Sequence, residues 1–252
     1  MRYGDKTAVD DVTLAVESGD VLGVVGESGS GKTTLGNAVL GLLPANASAE
    51  GEIRFEGRDL GKLKPRERRR LRGGEISAVF QNPSTALDPA YTIGDQVAEV
   101  FRANRRISRS AARAEALRRL KAVGIPAAEE RMKAYPHELS GGMNQRVALA
   151  IAMALDPTLL LADEPTSALD VTVQAQILRL FRELIAAHAG AVILISHDLG
   201  VVAQLSNRVA VMRDGAVVEE ATVHDLYANP RHAYTRHLLS SLPGRRQAEL
   251  AS

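Results

Sequence analysis

Gly26, Glu27, Ser28, Gly29, Ser30, Gly31, Lys32 and Thr33 spell the pattern Gly-x4-Gly-Lys-Thr, a phosphate-binding loop. Its glycines let backbone N–H groups turn inward as an anion nest. The helix that follows adds its positive N-terminal dipole. Lys32 is expected to reach the β- and γ-phosphates of a nucleotide as a point charge. The Thr33 hydroxyl is expected to ligate Mg²⁺, with Thr34 near the α-phosphate. A second motif runs Leu159-Leu160-Leu161-Ala162-Asp163-Glu164. An apolar strand ending in two acids presents them at the carboxyl edge of a sheet, where open α/β folds bind ligands. Asp163 is suited to hold Mg²⁺, directly or through water, and Glu164 to orient or deprotonate an attacking water. Capping of a helix before Pro165 is compatible with both roles.

These motifs need a scaffold. Asp20–Val25 is a short apolar run that leads into the loop. Thr33–Leu43 reads as the helix after it, with Leu35, Val39, Leu42 and Leu43 on or near one face and Pro44 past its end. Strand, glycine loop and helix together favour a phosphate site over a Gly-Ser surface loop. Val9–Val16 mixes apolar and polar residues as an exposed strand does, and Gly51–Gly57 is a further β region. Pro65–Arg72 is Arg-rich but has no interleaved aromatic residue, so it reads as a solvated helix face rather than a nucleic-acid contact. Ile76–Phe80 is another short strand.

From about residue 83 the texture turns helical, and 83–157 reads as an inserted helical subdomain. Within it, Ser108 caps a helix running to Val123, with Leu117 and Leu120 on its apolar side and Gly124 at its end. The βα alternation then resumes with a strand at Thr158–Ala162, a helix at Val171–His188 and a strand at Ala191–Ser196. The class is therefore α/β, with a mainly parallel sheet covered on both faces. From Val209 onward, strands pair around Asp214-Gly215 and short helices follow.

The chain has 252 residues, enough for one large domain or a domain with a subdomain. Lys and Arg total 31 against 30 Asp and Glu, a net charge of +1, which gives no global drive toward nucleic acid or anionic lipid. Cysteine is absent, so there is neither a disulfide framework nor a thiolate metal site. No apolar run reaches the roughly 18 residues needed to span a bilayer. Arg2, Asp5, Lys6, Asp10 and Asp11 leave no signal-peptide segment at the start. His224, His232 and His237 have no standard metal-ligand spacing and read as surface or packing residues.

Leu139-Ser140-Gly141-Gly142-Met143-Asn144-Gln145-Arg146 lies over a hundred residues past the glycine loop. Ser140, Gly141 and Gly142 open a helix through Val147–Leu155, and a helix N-terminus with a hydroxyl is an anion receptor. With the glycine loop, this stretch resembles the nucleotide-binding subunit of an ABC transporter. The resemblance implies a P-loop core with an antiparallel β subdomain and an inserted α-helical subdomain. It also implies that Ser140, Gly141 and Gly142 face the γ-phosphate held by an opposite subunit. Gln81 resembles the Q-loop glutamine, which senses Mg²⁺ and water and relays to a membrane subunit. Ser167-Ala168-Leu169-Asp170 resembles the D-loop at the dimer interface. His197 resembles the switch histidine that contacts the γ-phosphate, and Tyr3 the aromatic residue that stacks on adenine.

A narrower resemblance, to the dipeptide/oligopeptide/nickel importer subfamily, rests on Phe80-Gln81-Asn82-Pro83-Ser84-Thr85-Ala86-Leu87-Asp88-Pro89 and on the segment from Asn229 to Pro243. Ala233 departs from that motif, where Pro is usual, and Asn144 stands where many members have Arg. The resemblance places an edge strand ahead of Tyr3 and a subfamily-specific segment over 216–252. It implies ATP and Mg²⁺ as cofactors. Some members bind an iron–sulfur cluster through a cysteine-rich extension, and none is expected here. The implied partners are a second ATPase subunit, a paralogue or else a second copy of this chain, two transmembrane permeases and, indirectly, an extracytoplasmic solute-binding protein, with no nucleic acid. The implied place is the cytoplasmic face of the inner membrane. The function expected is ATP hydrolysis coupled to import of peptides or a related small solute. The alternatives are an exporter ATPase and a soluble, non-transport ABC ATPase. The long coiled-coil insertions, zinc cysteines and tandem cassettes of the latter are not seen. An ordinary P-loop GTPase lacks support because the guanine-specifying Asn-Lys-x-Asp pattern is absent.

Overall fold

A computed structural model describes residues 1–4, 6–81, 86–167 and 170–241. The chain divides into two compact units, residues 1–63 with 193–252 and residues 64–192. The first unit opens with β1 (Arg2–Tyr3) and β2 (Lys6–Thr7), and continues through β3 (Val21–Val25), α1 (Lys32–Leu40) and β4 (Ala47–Ser48) to a small hairpin of β5 (Arg54–Phe55) and β6 (Arg58–Asp59). β1 is the middle strand of an antiparallel sheet ordered β2-β1-β4.

Val9–Val16, expected as a strand, joins no sheet. Its alternation survives as alternate burial, with Val12, Leu14 and Val16 half-buried between exposed neighbours. Asp11, in the left-handed region at φ 43°, breaks the extended course the ladder would need. Pleated burial alone therefore gives the sequence pattern of a strand without its hydrogen bonds.

The second unit contains α2 (Pro65–Leu71), β7 (Ile76–Val79), α3 (Ile93–Asn104), α4 (Arg109–Ala122), a single turn α5 (Ala128–Arg131), α6 (Gly141–Ala152), β8 (Leu159–Asp163) and α7 (Val171–His188). β7 and β8 run parallel, Ile76 opposite Leu159 and Val79 opposite Ala162. α3, α4 and α6 pack on one another. Ala112, Ala116 and Leu120 form the buried row of α4, and Phe101 and Leu149 are fully buried in the same unit. Ser108 caps α4 by accepting from Ala111 N–H at 3.2 Å, and Gly124, at φ 71°, follows its end.

The chain returns to the first unit within β9 (Ala191–Ser196), then forms α8 (Leu199–Leu205), β10 (Arg208–Arg213), β11 (Ala216–Thr222), α9 (Val223–Ala228) and α10 (Ala233–Ser240). β3 runs parallel to β10, Val209 opposite Gly23 and Val211 opposite Val25. Leu22, Val24 and Val25 of β3 and Val209–Met212 of β10 are all buried. Strands this apolar on both faces are the sequence signature of a covered parallel sheet. β10 and β11 form a hairpin whose two-residue tip, Asp214-Gly215, has φ values of 50° and 86°. Two left-handed residues are what a type I′ hairpin turn requires.

Candidate functional site

The glycine loop leaves β3 at Val25 and enters α1 at Lys32. Its ends are pinned by close backbone approach. A Cβ on Gly26 would stand 2.1 Å from Met212 O, and one on Gly31 (φ 100°) would stand 2.3 Å from Ala8 O. No L side chain fits at either point, so the sequence has glycine there for steric reasons. The hairpin tip also holds the loop: Gly215 N–H donates to Ser30 O at 3.2 Å, and Asp10 N–H donates to Gly215 O at 2.8 Å. At the middle of the loop, Gly29 has open space around it. The N–H groups of Ser28 and Gly29 donate to no group among the described residues.

Lys32 is 6% exposed. Its ammonium donates to Gly26 O and Glu27 O at 2.8 Å each and to Ser30 Oγ at 3.3 Å. A buried cation wrapped by loop carbonyls, beside N–H groups that have no acceptor among the described residues, fits a polyphosphate. The Tyr3 hydroxyl donates to Thr34 Oγ1 at 3.4 Å, in the first turn of α1. His197 follows β9 and is exposed. All these residues belong to the first unit.

The second unit holds Gln81, Ser140, Gly141, Gly142, Asp163, Glu164 and Asp170. β8 ends at Asp163, and Glu164 follows at φ 47°, a left-handed conformation uncommon for a residue with a side chain. The structure brings Glu164 and Gln81 together: Gln81 Nε2 donates to Glu164 Oε2 at 2.9 Å. The carboxylate must take the amide nitrogen, so the amide oxygen of Gln81 stays available as a ligand. Oxygen donors of the hard kind that Mg²⁺ prefers occur in each unit, the Thr33 hydroxyl in the first and the Asp163 carboxylate and Gln81 amide oxygen in the second. No group of three or more His, Asp or Glu poised for a metal occurs among the described residues.

Ser140 caps α6, its Oγ accepting from Met143 N–H at 3.3 Å. Ser140 and Gly141 are exposed, and Gly141 has open space where a Cβ would go. The rest of the motif also makes contacts within the fold. Gly142 lies against α7, where a Cβ would stand 2.7 Å from Val173 Cγ1. Arg146 donates to Val123 O at 2.7 Å and so closes the end of α4. Asn144, 5% exposed, donates from Nδ2 to Pro136 O at 3.0 Å, tying α6 to the preceding turn. Asp170 caps α7 through Val173 N–H at 3.0 Å. Ala168 and Leu169 of the D-loop stretch, residues 82–85 of the Q-loop stretch and the end of the C-terminal motif from 242 lie outside the described residues.

Sequence reasoning missed Tyr234 and Glu219. Glu27 N–H donates to the Tyr234 hydroxyl at 3.1 Å, so α10 touches the glycine loop. Glu219 of β11 is buried and accepts from Arg231 N–H at 2.8 Å and His232 N–H at 2.9 Å. Burial opposes its ionisation, but the nearby Thr235 hydroxyl and these two N–H groups outweigh it and hold the carboxyl below the usual range. An acid at an interior-facing strand position followed by the C-terminal motif was the available signal. Of the three histidines, His232 caps α10 by accepting from Tyr234 N–H at 3.2 Å, His224 stands 3.5 Å from Asp225, and His237 is exposed.

Comparison with known proteins identifies the family. The family model described as ABC transporter matches residues 9–167. A probable peptide ABC transporter ATP-binding protein of Sinorhizobium fredii is 48% identical over 97% of this chain and 75% of its own length. The dipeptide transport ATP-binding protein of Bacillus subtilis is 47% identical over 95% of this chain and 72% of its length. The oligopeptide transport ATP-binding protein of the same organism is 47% identical over 95% and 68%. A dimeric ATP-binding cassette in a post-hydrolysis state with ADP and phosphate superposes with a TM-score of 0.75 at 31% identity, covering 86% of this chain and 90% of that one. The chain belongs to the ABC transporter family and is an ABC-type ATPase with the P-loop ABC fold.

Proposed function

We propose that this chain is the ATP-hydrolysing subunit of an importer for peptides or a related small solute. It acts at the cytoplasmic face of the inner membrane with a second, paralogous cassette and two permeases that receive solute from an extracytoplasmic binding protein. The observation that carries the reading is identity of 47–48% over nearly the whole chain to ATP-binding proteins of peptide and dipeptide transport. No described helix is long and apolar enough to cross a membrane, and the names of the relatives, ATP-binding proteins of transport systems, support permease partners that supply the membrane path.

In this reading the glycine loop from Gly26 to Thr34 holds the phosphates, with Lys32 as the fixed cation and Tyr3 against the adenine. Thr33, Asp163 and Gln81 supply oxygen ligands to Mg²⁺, which neutralises phosphate charge when bound. Glu164 takes the proton of the attacking water, and its bond to Gln81 orients it for that task. His197 contributes hydrogen bonding at the γ-phosphate. Ser140 and Gly141, with Asp170, act on the nucleotide of the opposite subunit, so binding of ATP closes two cassettes and hydrolysis reopens them. Positioned donors and charges, rather than covalent chemistry, do most of the catalysis in such sites.

The test is a pulldown of the tagged chain from detergent-solubilised native membranes, with the copurifying proteins identified. A second ATPase and two multi-spanning permeases are the expected companions. Recovery alone, or with nucleic-acid factors, overturns the transport reading.

A further inference from the structure

We infer that Tyr234, near the end of the chain, positions the phosphate loop and thereby sets the affinity for nucleotide. Tyr234 is 6% exposed, in the first turn of α10. Its hydroxyl accepts from Glu27 N–H at 3.1 Å, a contact that spans 207 positions of sequence. Glu27 is the first residue after Gly26, and its carbonyl accepts from Lys32 Nζ at 2.8 Å. The two polar groups of one loop residue are thus divided. The N–H is drawn to Tyr234, and the carbonyl holds the cation that the phosphates must meet. Turning the N–H toward Tyr234 therefore orients the start of the loop and, through Glu27, the place of the ammonium.

The brace is itself braced. Arg213, next to the hairpin tip that bonds Ser30, lays its guanidinium 5.0 Å from the Tyr234 ring centroid. Glu219 clasps the two N–H groups that precede α10, and His232 caps that helix at Tyr234 N–H. Burial, outweighing the bond from Glu27 N–H, raises the tyrosine pKa above its ordinary value. A second link has the same sense: Tyr227 of α9 donates to Leu199 O at 2.6 Å, two residues after His197. The segment after β11 therefore touches the glycine loop and the start of α8, just past His197. Each link joins a backbone group to a single hydroxyl, so each can be cut without disturbing the core.

This inference rests on the reading of the loop as the phosphate site, and the experiment separates the two. Tyr234→Phe keeps the ring and removes the acceptor. Fluorescent-nucleotide titration and steady-state ATPase assays on the full chain are expected to show Kd and KM for MgATP raised about three- to tenfold, as loss of one partly buried hydrogen bond implies. The kcat should stay within about twofold, and the melting temperature should be nearly unchanged. His237→Ala, on an exposed position of the same helix, should alter neither constant. Glu219→Gln, which weakens the clasp but leaves the hydroxyl, should raise Kd by a smaller factor and guards against misfolding of the first variant. A Tyr234→Phe protein that melts normally and binds MgATP as the wild type does overturns the inference. A lower melting point with unchanged Kd and KM overturns it as well, because a packing role alone gives that result. A folded wild type that binds no nucleotide overturns the phosphate-site reading instead.

Discussion

Glu164 is the residue on which turnover is expected to depend most. It combines a left-handed backbone, φ 47°, with a 2.9 Å bond from Gln81. Strain of this kind persists only where surrounding structure over-determines it. Glu164→Gln keeps an oxygen that can accept from Gln81, so the local geometry should survive while the basic group is lost. ATP binding should stay near the wild-type level, and kcat should fall on the order of 10²- to 10⁴-fold, the range general-base catalysis supplies. Single-turnover ATPase assays on the purified variant check this, and near-normal hydrolysis would sink the base assignment.

Two elements translate sequence signals into separable roles. In α6, Gly141 faces open space and Gly142 faces Val173 of α7. Gly142→Ala forces Val173 to shift, and overpacking of this kind costs about 1–3 kcal/mol. Gly141→Ala should leave the melting temperature unchanged or slightly raised, since Ala is the better helix former. If the exposed end of α6 receives the opposite subunit's nucleotide, Gly141→Ala should nevertheless lower ATPase activity, on the order of tenfold or more. Calorimetry beside an ATPase assay separates the pair, and equal activity in both would overturn the phosphate role of Gly141. In α10, Ala233 occupies the first helical position, where its N–H makes no hydrogen bond among the described residues. His232 before it has φ −82° and ψ 140°, a conformation compatible with a following proline. Proline at this position suits a helix start, so Ala233→Pro should stabilise by about 0.4–1 kcal/mol. That is a rise of about 1–4 °C in melting temperature for a protein of this size. A lower melting temperature would show that the N-terminus of α10 is held differently.

At the scale of the molecule, the chain crosses between its two units near residue 63 and again inside β9. The candidate roles are shared between them, with the glycine loop, Tyr3 and His197 in one and Gln81, Asp163, Glu164 and the α6 end in the other. A net charge of +1 gives no global attraction to a polyanion. The permeases expected in the pulldown should therefore remain after nuclease treatment. Association is expected to rest on specific surfaces, as the family's subunit architecture implies, and the dimeric cassette that superposes on this chain belongs to the same class.

The glycine loop, the α6 start, the acid pair at the end of β8 and the Asp214-Gly215 turn were all legible in the linear chain. Each is a local device, since backbone conformation, capping and turn chemistry depend on residues within a few positions. The boundaries of α7 and β9 were legible for the same reason, because apolar periodicity is a local record of burial. Val9–Val16 shows the limit of that record: its alternation reported burial correctly, but strand pairing needs a neighbour that the segment itself does not specify. The bond from Gln81 to Glu164 and the bond from Glu27 to Tyr234 join residues 83 and 207 positions apart. The packing of Gly142 and Arg146 in the signature stretch likewise depends on Val173 and Val123, which lie elsewhere in the chain. Only the tertiary structure decides such pairs, because the direction of a hydrogen bond and the room for a Cβ are set by how separate elements pack. Neither the type of a residue nor its spacing in the chain carries that information.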